Sequence, residues 1–255
     1  MRIRTRIAAA VGVVAAAALT GVAVTALAAP APEAQSVPES SVLMGHGADY
    51  LPSITADDWV TYADHVIVVE AVSEEAIAPG AEELERGEGI IGRTVSLDVE
   101  GVLWSREGAP VAAPATWSYN ALGWHFTGGD TEGAVEMALY GFPRVEVGHQ
   151  YVMAIRWEAA VCDEDGEYTP AQWHGLGEGS EIPFDGGVLG NGESEGAVED
   201  AAAFAAAAED LPDQGVEELL AGEGADAIVA ALESAVPDAA AQAEASEFSL
   251  MHSCV

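Results

Sequence analysis

The sequence predicts a mainly-β protein: an antiparallel barrel or sandwich followed by an Ala-rich C-terminal helical tail. Three observations predict it. Short apolar runs between residues 59 and 185 alternate at period two. Gly- and Pro-bearing turns separate them, such as Gly128-Gly129-Asp130 and Gly141-Phe142-Pro143, with no helical stretches between as βαβ units would need. After Gly186 the composition turns Gly-rich and then Ala-rich.

Residues 1–28 read as a secretory signal. Arg2, Arg4 and Arg6 precede an Ala/Val-rich apolar stretch from Ile7 to Ala29, and Ala26-Leu27-Ala28 offers a small-x-small cleavage site. Pro30 and Pro32 stop any continuing helix. The competing reading is an uncleaved anchor, since the stretch is long enough to span a bilayer. Gly12, Thr20, Gly21 and Thr25 dilute its hydrophobicity, which favours cleavage. The expected location is therefore secreted and extracellular, with cell-wall association as a variant of it. Residues 29–58 form a spacer and lead-in, and 29–41 (Pro-, Ala-, Ser- and Glu-rich) are expected to be disordered.

Residues 59–185 hold the expected β-domain. Val66 to Val69 is apolar on both faces, as in a central strand. From Arg93 to Trp104, Val95, Leu97 and Val99 alternate with Thr94, Ser96, Asp98 and Glu100. Thr116–Ala121 puts Trp117 and Tyr119 on one face; Val135–Tyr140 and Tyr151–Trp157 are further strands. Asp165-Gly166 reads as a hairpin turn towards a strand near Tyr168. Residues 74–90 read as a polar loop with at most one helical turn. Residues 186–255 read as a Gly-rich linker and helical tail, with helices at Ala197–Glu209, at Asp213–Ala221 stopped by Gly222, and from Asp226 to Pro237. They are thinly apolar and are expected to lie on the β-domain rather than form a core of their own.

Charge excludes whole classes of partner. The chain has 43 acids against eight basic residues, a net charge of −35, and no Lys. Cleavage after Ala28 would leave five arginines. Such a surface repels nucleic acid and anionic lipid and favours a soluble monomer. Lys-free, Ala-, Gly- and Val-rich usage also fits a GC-rich genome such as an actinobacterium's.

The two cysteines, Cys162 and Cys254, are expected to form one disulfide in an exported chain. Closing a loop that long would contribute roughly 4–5 kcal/mol in the chain-entropy account. Free thiols or intermolecular pairing are the alternatives.

Other motifs carry little. Gly192-Glu193-Ser194-Glu195-Gly196 matches the spacing of a serine-hydrolase elbow, but no buried strand precedes Ser194 and two glutamates flank it. It reads as a flexible acidic linker. His46, His65, His125, His149, His174 and His252 are scattered without ligand spacing, so no metal is expected. Asp163-Glu164-Asp165-Gly166-Glu167 resembles part of a calcium loop, but Gln172 stands where the last carboxylate belongs. Trp104, Trp117, Trp124 and Trp173 with Tyr119 are candidates for an aromatic binding platform or, more ordinarily, for core and rim. No P-loop or dinucleotide fingerprint occurs, and no cofactor is expected.

Ala63-Asp64-His65-Val66-Ile67-Val68-Val69-Glu70-Ala71-Val72 resembles the opening strand of a family of uncharacterised bacterial secreted domains. Val99 to Trp104 and Val147 to Ala154 resemble that family's second and fourth strands. The resemblance covers residues 59–185 and implies a small antiparallel OB-like barrel, similar to netrin and metalloproteinase-inhibitor modules. The N-terminal cysteine on which metalloproteinase inhibition depends is missing here, so that activity is not implied. The resulting expectation is a non-enzymatic extracellular module binding a protein or glycan. A secreted hydrolase and a calcium-dependent adhesion module are the alternatives.

Overall fold

The computed structural model describes residues 42–47, 49–162, 168–208 and 215–251. The signal segment, the 29–41 spacer, the Asp163–Glu167 turn, His252 and Cys254 lie outside the described residues.

The main sheet has eight strands. In chain order they are β1 (Leu43–Gly45), β2 (His65–Ile77), β3 (Gly89–Ser105), β4 (Thr116–Phe126), β5 (Val135–Leu139), β6 (Gln150–Glu158), β9 (Gln172–Gly175) and β10 (Glu181–Pro183). Their spatial order is β1-β5-β4-β3-β2-β6-β10, with β9 on the same edge of β6 as β10. All pairs are antiparallel except β1 with β5. Two small hairpins complete the β structure: β7 (Val161–Cys162) with β8 (Tyr168–Thr169), and β11 (Gly192–Ser194) with β12 (Ala197–Glu199).

The protein is mainly β, but its sheet is an open path and not the closed barrel expected. Bulges between Val66 and Ile67, Val68 and Val69, and Ala71 and Ser73 curl the β2–β3 pair. A further one between Ile91 and Gly92 bends β3 against β4. There Gly123 lies so close that a Cβ would meet the Ile91 carbonyl at 2.4 Å. The curl brings β4 towards β9 across the inner face. The contact is made by a side chain, Trp117 Nε1 donating to the Trp173 carbonyl at 3.2 Å, and no ladder joins the two strands.

Alternation along β2 and β6 divides the core in two. Ile67, Val69, Tyr151, Met153 and Ile155 face inward with Val95, Leu97 and Trp117. Val66, Val152 and Ala154 face outward, where helices cover them. The first cover is α1 (Ala56–Tyr62), set by a reciprocal cap. Thr55 Oγ1 accepts from Asp58 N at 3.1 Å, and Asp58 Oδ2 accepts from Thr55 N at 2.8 Å. Trp59 of α1 is fully buried, with its indole donating to the Ser53 carbonyl at 2.6 Å. The second cover comes from α4 (Val216–Leu220) and α5 (Ala225–Ser234), which bury Val216, Ile228 and Leu232 in the same cluster. Burying Ile228 and Leu232 contributes about 2 kcal/mol each.

Several elements differ from expectation. The 74–90 region holds more structure than a loop with one helical turn: β2 runs on to Ile77, the six-residue helix α2 spans Ala81–Arg86, and β3 starts at Gly89. Ala197–Glu199 is a strand, because Gly192–Ser194 pairs with it; helix α3 begins only at Ala201 and runs to Ala208. The Ala-rich helix α6 (Ala239–Met251) is additional. No described helix is long and apolar enough to cross a membrane.

Candidate binding cleft and buried polar network

The ladder builds a charged row at one end of the outer face. His65 stands opposite Ser105 of β3 and Ile155 of β6. One residue earlier, therefore, Asp64 lies between Arg106 and Arg156. The main chain continues the pairing there: Asp64 N donates to Ile155 O at 2.8 Å, and Arg106 N donates to Asp64 O at 2.9 Å. Cross-strand neighbours share a face, so the row reads Arg–Asp–Arg.

Asp64 is 1 % exposed, and both its oxygens are engaged. Oδ1 pairs with the Arg106 guanidinium, and Oδ2 accepts the Trp157 backbone N–H at 2.7 Å. Arg156 pairs with Glu158 at 3.1 Å. Arg106 Nε is buried and has no hydrogen-bond partner among the described residues.

This row lines a cleft of about 840 Å³, within the size range of small-molecule sites. Trp104 and Trp157 line it from the sheet. Leu232 of α5 and Gln242 of α6 line the opposite side, and Gln242 Nε2 donates to the Thr61 carbonyl at 3.2 Å.

A second constellation lies in the interior around Glu193, which is 1 % exposed. Its Oε1 accepts from Arg144 N (3.0 Å) and Gly196 N (2.7 Å). Its Oε2 accepts from Val145 N (3.0 Å) and Tyr151 OH (2.9 Å). Burial, then the charge of Glu193, pushes the Tyr151 phenol well above its usual range, so it stays a donor. Val145 sits at φ +59°, a strained conformation for a β-branched residue. It is held on both sides, by Glu193 at its N–H and by Arg93 Nη1 at its carbonyl (3.1 Å). Arg93 also bonds Glu74 (2.7 Å), Leu122 O (2.8 Å) and Arg144 O. Arg144 lies over the Trp124 ring at 5.2 Å and pairs with Glu146.

This network overturns the flexible-linker reading of residues 192–196. They are an ordered two-residue hairpin with Glu195 at φ +54° and Gly196 at φ +82°. Ser194 is a strand residue, and the G-x-S-x-G spacing serves the turn and the buried Glu193.

A third group is an acid pair. Glu181 is 2 % exposed and accepts from Tyr119 OH at 2.9 Å. Burial, then the charge of Glu178, pushes its carboxyl well above the usual range. Burial and then Asp49 push Glu178 up to about 7. Asp49 also accepts from Glu178 N at 2.9 Å and so ties the lead-in segment to this turn.

The remaining candidates scatter. His65 is buried, with Nδ1 2.8 Å from Ser105 Oγ and Nε2 2.8 Å from the Val111 carbonyl. His149 meets Asp185 at 2.6 Å and His174 meets Glu158 at 3.2 Å. His46 packs near Tyr140, and His125 is a β4 residue opposite Ile90 and Val135. Among the described residues, no three His, Cys, Asp or Glu side chains converge as metal ligands. The aromatic candidates share no platform. Trp104 lines the cleft, Trp117 is buried with Tyr119 against it, Trp124 lies under Arg144, and Trp173 packs on Trp157 at 5.2 Å. Cys162 closes β7, and its expected partner Cys254 lies outside the described residues.

No family model, curated protein or solved structure matches the chain.

Sequence reasoning missed Arg106 and Arg156. The available signal was their rarity: after residue 28 only five arginines remain, and two of them stand in one row.

Proposed function

We propose that this is a non-enzymatic extracellular binding module, a secreted monomer whose ligand sits in the cleft between the sheet end and helices α5 and α6. The observation that carries the reading is that cleft, with the partly exposed guanidinium groups of Arg106 and Arg156 on one wall beside Trp104. Guanidinium N–H groups on a cleft wall are ready donors to an acceptor on a ligand. The curled open sheet, with Trp117 bridging to β9, is compatible with an OB-like barrel left unclosed by backbone pairing. The chain's acidity supports solubility outside the cell and rejection of nucleic acid.

The test is ligand-observed NMR of the full chain with a fragment mixture, repeated on Ala245→Trp. Ala245 lines the cleft from α6, and an indole there projects into it and narrows it. Binding that Ala245→Trp abolishes is expected. No binding, or binding indifferent to that substitution, overturns the reading.

One observation favours the hydrolase alternative. The Val111 carbonyl can only accept, so it fixes the His65 proton on Nε2, and Nδ1 then accepts from the Ser105 hydroxyl. A fluorophosphonate adduct on Ser105 would support that reading, and an unmodified chain would sink it.

A further inference from the structure

The donors and acceptors of the cleft are unbalanced. The Asp64 carboxylate is spent on Arg106 and the Trp157 amide. The other acids on the lining, Glu107 and Glu233, are exposed at its rim. Guanidinium N–H groups remain: the Arg106 and Arg156 side chains are 25 % and 17 % exposed, and Arg156 is tied to Glu158 through one guanidinium nitrogen. Each arginine is matched by one acid, so the row with Glu158 is neutral within a chain of net charge −35. Of the other described arginines, Arg93 and Arg144 are sealed in the interior and Arg86 belongs to α2, at the other end of the β2–β3 pair. Among the described residues the row is thus the place where two partly exposed guanidinium groups line a cleft together with an indole residue, Trp104. Adjacent strands lie about 4.8 Å apart, so β3 and β6, flanking β2, set the two arginines roughly 10 Å apart at their backbones. Two side chains of that length can close on one small group.

We propose that the cleft selects a ligand bearing a single carboxylate on a flat apolar body. The carboxylate lies against Arg106 and Arg156, where planar guanidinium groups match its two oxygens. The body lies along Trp104, with Leu232 opposite. The surrounding charge sharpens the choice. Repulsion from the acidic surface is screened beyond about 8–10 Å at physiological salt and grows in proportion to the ligand's charge, so a polyanion is repelled several times more strongly than a single carboxylate. This inference rests on the cleft being the binding site.

The experiment measures binding of indole-3-acetate, indole-3-acetamide and cellotriose to the full chain, to Arg156→Gln and to Ala245→Trp, by titration calorimetry. The acid should bind at least tenfold more tightly than its amide. Arg156→Gln should bring the acid down to the amide's affinity, and Ala245→Trp should remove both. Equal affinity for acid and amide, or binding of cellotriose alone, overturns the carboxylate preference and leaves the cleft as the binding site. Binding of any probe undiminished in Ala245→Trp, or no binding of any probe, overturns both.

Discussion

Two groups of buried glutamate in this protein are treated in opposite ways. Glu193 reaches the interior and meets four donors, three of them backbone N–H groups and one a phenol. Glu181 reaches the same depth at β10 but has one donor, Tyr119 OH, among the described residues, and it faces the charges of half-buried Glu178 and of Asp49 instead. Donors, not depth, decide whether a buried carboxyl holds a fold together or waits for a proton. The same comparison applies to the arginines: Arg93 is saturated with carbonyls and carboxylates, whereas Arg106 has a buried Nε with no hydrogen-bond partner among the described residues.

The largest expected effect comes from breaking the saturated site. Glu193→Ala strands Arg144 N, Val145 N, Gly196 N and the Tyr151 hydroxyl in the core, and removes what holds Val145 at its strained φ. The expected cost is about 3–5 kcal/mol, read as a lower urea midpoint. Glu193→Gln keeps the shape and one acceptor and should fall in between. An alanine variant within about 1 kcal/mol of wild type would show that the hairpin is not anchored there.

The unsaturated site predicts a pH dependence of particular sign. The folded-state pKa of Glu178 is about 7 against an ordinary value near 4.5, so the folded protein holds the proton more tightly than the unfolded chain. That contribution is fully present below about pH 4.5 and is lost as pH rises through 7. Wild type should therefore lose stability between pH 5 and pH 8. Glu178→Gln, which stays neutral, should be more stable than wild type at pH 8 by about 1–2 kcal/mol after allowance for its partial exposure, and nearly equal at pH 5. Using the difference between the two proteins removes the general repulsion of a chain this acidic. Parallel curves would refute the assignment of that proton to Glu178.

These contrasts were not equally legible in the sequence. The strands were, because alternation survives in one dimension: Arg93–Trp104 and Tyr151–Trp157 became Gly89–Ser105 and Gln150–Glu158. Ala197–Glu199 was misread as helix, because its Ala content favours helix while pairing with Gly192–Ser194 made it strand. α6 carries no apolar stripe and so gave no periodic signal. Glu74 looked like loop, yet Arg93 holds it within β2. Glu193 was hidden for a deeper reason. A glutamate in a glycine-bounded turn looks solvated, and three of its four donors lie more than forty residues away. The Arg–Asp–Arg row likewise exists only once β2 is registered between β3 and β6.

The smallest effect tests the bond that joins the acid pair to β4. Among the described residues Tyr119 OH is the one donor to Glu181, and it favours the ionised form, while burial and Glu178 oppose that form more strongly. Tyr119→Phe removes the donor and leaves the ring packed beside Trp117. With Glu181 neutral the lost bond is an ordinary one, about 1 kcal/mol. As pH rises and the carboxylate is pressed to ionise without its donor, the cost should grow. Urea midpoints of wild type and variant at pH 5 and pH 8 measure it. A cost that is the same at both pH values would reduce Tyr119 to a packing residue. A cost matching that of Glu193→Ala would mean the acid pair is as firmly held as the saturated site, and the contrast between the two would fail.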